Sequence, residues 1–179
     1  MLYQPFIPFV LPRKRARSGR RVLDFSAEAI REFWVEANDE HPDLSRAKGC
    51  YIFGIRAGKG IRPWYVGQTR RAFSRECFQP HKRSLYMEAC QHNKSGTPLL
   101  FLLARTTAGG RIATGGPSQN ELDFLEQMLI GIALSQNKNL LNKRATRFMR
   151  DLQVPGILNS DRGPGTAAVR SLRVVLGQT

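Results

Sequence analysis

Two runs rich in aromatic and β-branched residues, 49–56 (GCYIFGIR) and 63–67 (PWYVG), flank the break Gly58-Lys59-Gly60. Such runs suit the pleated, half-buried surface of a strand, and the glycines supply a tight reversal. The segment therefore predicts a β-hairpin, and the rest of the chain must supply what covers it. Residues 97–106 contain the continuous apolar run 99–104, which suits a buried central strand. Ser26 is a good N-cap for a helix over 27–40, where Ile30, Phe33 and Ala37 recur at helical spacing and His41-Pro42 stops it. Pro80 separates a short helix over 71–79 from a second over 81–93. Ser118-Gln119-Asn120-Glu121 has the capping-box pattern and opens a helix over 119–136. Two further helices are expected at 143–152 and 166–176. A hairpin, one further strand and several helices predict an α+β fold. Residues 1–47 form a basic arm and an acidic helix, 48–143 the central domain, and 144–179 a helical extension packed on it.

Charge narrows the partner. Lys+Arg number 28 against 14 Asp+Glu, a net +14. Residues 1–21 hold six basic and no acidic side chains, and residues 48–118 twelve basic against two acidic. A cationic surface of this extent gains most from a polyanion, because each neutralised phosphate releases counterions. DNA is the expected partner, with RNA also open. Arg13, Lys14, Arg15, Arg17, Arg70, Arg71, Lys82 and Arg83 are the candidate phosphate contacts, and the arm is expected to act as a clamp. No segment reaches the ~20 apolar residues of a membrane span, so no membrane partner is expected. Three cysteines suit a reducing, intracellular (cytoplasmic) setting rather than a disulfide framework. The C-terminal helix leaves a homodimer open.

The chemistry-bearing residues are scattered in sequence but patterned. If the hairpin pairs odd with odd positions, Tyr51 and Tyr65 project from one face and Gly67 lies near Tyr51, leaving open space above it. Arg75 follows ten residues after Tyr65. On the helix over 119–136, with Leu122 at 0°, Leu125, Leu129, Ile132 and Ala133 fall between roughly 280° and 20°, and Glu126 lies on the margin of that stripe near 40°. Two phenols, a guanidinium and a semi-buried carboxylate make a sensible phosphodiesterase site. A tyrosine of ordinary pKa near 10 is about one part in a thousand phenolate at pH 7, so a tyrosine base needs a basic neighbour. Cys77, His81, Cys90 and His92 match no ordinary zinc-ligand spacing.

Gly49-Cys50-Tyr51, Tyr65-Val66-Gly67, Arg75, Glu126-Gln127-Met128-Leu129-Ile130 and Asn142, in that order, resemble the GIY-YIG nuclease superfamily over about residues 48–143. The resemblance implies a small central antiparallel sheet of about three strands flanked by helices, one Mg²⁺ or Mn²⁺ ion and hydrolysis of a DNA phosphodiester by tyrosine-assisted water attack. It implies Tyr51 as general base, Tyr65 positioning water or phosphate, Arg75 on the phosphate, Glu126 on the metal and Asn142 as a buttress. The chain departs from the pattern at Cys50, where an aliphatic residue is usual, and at Gln79, where a His or Tyr is common. His81, two residues further on, is the substitute candidate. The competing expectation is a nucleic-acid-binding module that keeps this fold without cleaving.

Overall fold

The computed structural model describes residues 1–143, 146–151, 154–157 and 165–177. The expected α+β class holds, and the chain divides into two compact units, Met1–Leu141 and Asn142–Thr179. In the first unit, β5 (Gly49–Ala57) and β6 (Gly60–Thr69) form the hairpin, and β5 also pairs antiparallel with β7 (Thr97–Thr106). The sheet has five strands rather than about three, because residues from the N-terminal arm extend it. β1 (Leu2–Pro5) and β2 (Phe9–Val10) both lie along the outer edge of β7. Pro5 sits at the end of an edge strand and Pro8 between strands, where a missing N–H costs little. The remaining edge is β6.

The rest of the arm is a separate two-stranded ribbon, β3 (Arg13–Arg15) with β4 (Arg21–Leu23). Helix α1 (Ala27–Glu40) starts at Ser26, whose side chain accepts from the Ala29 N–H, and ends at His41. Helix α2 (Phe73–Glu76) is a single turn, shorter than the expected 71–79. Helix α3 (Pro80–His92) begins at Pro80 itself, which fits the first turn, where no N–H is needed. Helix α4 (Gln119–Gln136) carries the full capping box between Ser118 and Glu121.

These helices cover the sheet on two sides. Strand alternation puts Tyr51, Phe53, Tyr65, Leu100 and Leu102 on one side. There Tyr86 of α3 stacks on Phe53 at 4.4 Å, Phe73 of α2 meets Tyr51 edge-on, and Phe33 of α1 meets Phe9. Cys50, Val66 and Gln68 project from the other side, and Gln68 bonds to α4.

The second unit has α5 (Thr146–Asp151) and α6 (Ala167–Val175), which lie within the expected helices; residues 144, 145 and 152 fall outside the described ones. No described helix is long and apolar enough to cross a membrane.

Candidate functional site

The hairpin register places Tyr51 opposite Gly67 and Phe53 opposite Tyr65. The two phenols thus share a face, as expected, with ring centroids 6.2 Å apart. The space over Gly67 is not open: the Tyr51 ring fills it. A Cβ at position 67 would lie 2.4 Å from Tyr51 Cζ, so only glycine lets the phenol lie flat across the partner strand. Tyr51 is 0% exposed, and its hydroxyl has no hydrogen-bond partner among the described residues. Burial drives its pKa strongly upward, the reverse of what a general base requires. Tyr51 is therefore placed as a core residue, not as the base that the resemblance implied.

Tyr65 has the basic neighbour a reactive tyrosine would need. Lys82 Nζ donates to the Tyr65 hydroxyl, lies 4.7 Å from the Tyr65 ring centroid and 5.9 Å from that of Tyr51, and approaches Glu76 Oε1 at 3.8 Å. Lys82 is only 8% exposed. It is thus an internal cation serving this aromatic chamber, which corrects the expectation that it contacts phosphate. Arg83 is also engaged internally: Nε donates to the Phe78 carbonyl at 2.6 Å, and the guanidinium lies over the Phe25 ring. Its stem and head tie α3 to the start of α1 instead of facing a ligand.

Arg75 and His81 are exposed on α2 and the first turn of α3. Among the described residues, neither side chain is held by a hydrogen bond or ion pair. Gln79 donates its amide to the Arg75 carbonyl and to Glu76. Of Cys77, His81, Cys90 and His92, Cys77 is buried, with its thiol pushed up by burial, and His92 stacks on Trp64 at 5.4 Å. Among the described residues no three His, Cys, Asp or Glu side chains gather in one place.

Glu126 comes from the opposite side of the hairpin. The buried residues of α4 are Leu122, Ile130, Ala133 and Leu134, at roughly 0°, 80°, 20° and 120°, so Glu126 near 40° sits in the middle of the sheet-facing stripe rather than on its margin. Ile132, expected in that stripe, is 60% exposed together with Phe124 and Met128. The carboxylate is met by Gln68, whose amide nitrogen donates to Glu126 Oε2 at 3.1 Å and to Asp123 Oδ1 at 2.5 Å. Gln119 adds a second donor to Asp123 at 2.8 Å. Beneath them Cys50 is pushed up to about 12, first by burial and then by the Glu126 charge. The structure therefore brings Tyr51 and Tyr65 together on one face and presents Glu126 from the other.

Asn142 belongs to the second unit, where its carbonyl accepts from the Thr146 hydroxyl. Arg70 and Arg71 are exposed at the end of β6, with the turn fixed by Thr69 Oγ1 accepting from the Arg71 N–H. Arg13 donates to the Gly96 carbonyl and Lys14 pairs with Asp24 at 3.0 Å, whereas Arg15 and Arg17 are exposed.

Sequence reasoning missed Lys82 as the Tyr65 partner, and Gln68 and Asp123 as companions of Glu126. Two of these carried a signal. Gln68 is one position past Gly67, hence on the reverse face, and Asp123 precedes Glu126 by one helical turn. Comparison with protein families, curated proteins and solved structures finds nothing that matches this chain.

Proposed function

We propose that this chain is a divalent-cation-dependent endonuclease acting on DNA, with its working carboxylates on the α4 side of the β5–β6 hairpin. The observation that carries the reading is the convergence of Glu126 and Asp123 on one amide nitrogen of Gln68. The donor set fits a hard cation: the two carboxylates offer only oxygen ligands, and Mg²⁺ keeps several waters, so it needs few side chains. Glu126 and Asp123 would hold Mg²⁺ or Mn²⁺, which supplies phosphate charge neutralisation and a more acidic water. Gln68 would orient the two carboxylates through its amide. Arg70, Arg71 and Arg75, exposed on the segment that leaves β6, would grip phosphate oxygens as bidentate donors. Tyr51 and Tyr65 support the hairpin from behind, and burial of Tyr51 argues against tyrosine-assisted attack through that residue. The test is nicking of supercoiled plasmid with Mg²⁺. Wild type should nick, chelator should stop it, and Glu126→Gln should abolish it while leaving DNA retention intact.

A second reading has its own support. The two phenols and the carboxylate lie on opposite faces of one hairpin, and Lys82 is buried, so a nucleic-acid-binding module without hydrolytic activity also fits. It requires duplex binding that Glu126→Gln leaves unchanged and no product at any Mg²⁺ or Mn²⁺ concentration.

A further inference from the structure

The ribbon formed by β3 and β4 is a built element, and its free end is entirely cationic. Its register sets Arg15 directly opposite Arg21. The turn between them is closed by the Ala16 N–H donating to the Arg20 carbonyl at 2.8 Å, with Gly19 at φ +75°, a conformation that favours glycine. Its base is fixed to the body of the unit by buried Leu23, by Arg13 donating to Gly96 at 3.1 Å and by the Lys14–Asp24 pair. Arg15, Arg17, Arg20 and Arg21 are all exposed, and among the described residues none makes a side-chain hydrogen bond or ion pair. Like charges facing each other across a strand pair are destabilising. A two-stranded ribbon has no second sheet to offset that cost, so the folded chain alone gives no reason for the arrangement. Beside the base, a groove of about 480 Å³ is lined by Arg13, Lys14, Arg15 and Arg21, with Glu36 as its one acid.

We infer that this ribbon is a docking element for B-form DNA, inserted along the major groove or across its phosphate rims. The inference rests on the nucleic-acid partner proposed above, and it names the surface and the form of the duplex. The major groove, about 12 Å wide, admits a two-stranded β-ribbon, whereas the deep, narrow major groove of A-form RNA does not. Residues 12–23 (PRKRARSGRRVL) include no aromatic side chain. Single-strand binders depend on such side chains to stack bases, so an unpaired strand is disfavoured. An anionic bilayer is disfavoured too, because the ribbon's one exposed apolar side chain, Val22, offers nothing to insert. Four guanidiniums on phosphates would account for about 3 to 4 units of slope in log K against log salt.

The test measures binding in chelator, so cleavage plays no part. Anisotropy titrations use a labelled DNA duplex about two helical turns long, the matching single strand, an RNA duplex and phosphatidylserine vesicles, each over a range of salt. The full chain is compared with the variant R15A/R17A/R20A/R21A and with the corresponding four Arg→Lys changes. The Ala variant should bind duplex DNA about a hundredfold or more weakly near 0.1 M salt, with the slope reduced by about 3 to 4. The Lys variant should keep the slope, because the charges remain. Its thermal midpoint should not fall in the Ala variant, since a repulsive pair has been removed. An unchanged slope in the Ala variant, a lost slope in the Lys variant, or an equal loss on single strand, RNA or vesicles overturns the inference. If wild type binds no duplex even at low salt, the nucleic-acid reading itself fails; if it binds and only the ribbon variant is silent, the ribbon inference alone fails.

Discussion

The two sides of the β5–β6 hairpin are built from alternate residues of the same strands and have opposite characters. Facing α2 and α3, Tyr51, Phe53 and Tyr65 are sealed among Phe73, Tyr86 and Lys82, and the hydroxyls of Tyr51 and Tyr86 have no partner. Facing α4, Gln68 reaches two carboxylates that stay partly accessible. The first side has the aromatic residues that attract a catalytic reading and the environment that denies it. Burial pushes the Tyr86 pKa upward as it does that of Tyr51, so these two phenols stay protonated. The lesson is that a reactive residue type is defined by its solvation as much as by its motif.

The comparison breaks most visibly at its aromatic side. Tyr51→Ala should cost about 3–5 kcal/mol, the range for emptying a large core aromatic, seen as a lowered denaturant midpoint. Gly67→Ala should cost about 1–3 kcal/mol, because the new methyl must displace the Tyr51 ring. Tyr51→Phe separates packing from chemistry. It removes a buried hydroxyl with no partner, so stability should be unchanged or higher by up to about 1 kcal/mol.

Lys82→Met should also cost about 1–3 kcal/mol, leaving the Tyr65 hydroxyl without its donor and Glu76 without its nearby cation. The polar side responds in function instead: Gln68→Leu removes the donor common to Glu126 and Asp123 and should lower nicking without moving the melting temperature by more than a few degrees.

The smallest expected difference, that between wild type and Glu126→Gln, is alkaline. The Cys50 thiol rises from 9.0 to about 12 in the folded chain, so the native state holds its proton where the unfolded state has lost it. That contribution is complete below pH 9 and is lost as pH climbs towards 12, at about 1.4 kcal/mol per pH unit at most. Glu126→Gln, which removes the second cause of the rise, should make the loss shallower in unfolding curves taken across that window.

Much of this architecture was legible because local rules and burial agree. The capping box at Ser118, the N-cap at Ser26 and the glycine-lysine turn all act within a few residues. The shared face of Tyr51 and Tyr65 follows from period two alone. What could not be read was which way each surface turned. The phase of α4 depends on which apolar residues the sheet selects, and it chose Ile130 and Leu134 over Ile132. That choice moved Glu126 from the rim to the centre of the packed face. The short strands β1 and β2 owe their existence to the edge of β7, some ninety residues away, and no local pattern in the arm announces them. Lys82 looked like one more surface cation because nothing in its neighbourhood encodes a phenol seventeen residues earlier.

Magnesium-dependent plasmid nicking by Tyr51→Phe and Glu126→Gln, run side by side at matched DNA binding, tests the division of labour most directly. The account expects Tyr51→Phe to nick like wild type and Glu126→Gln to yield no product. A folded Tyr51→Phe protein that cannot nick, or a Glu126→Gln protein that still can, would contradict it.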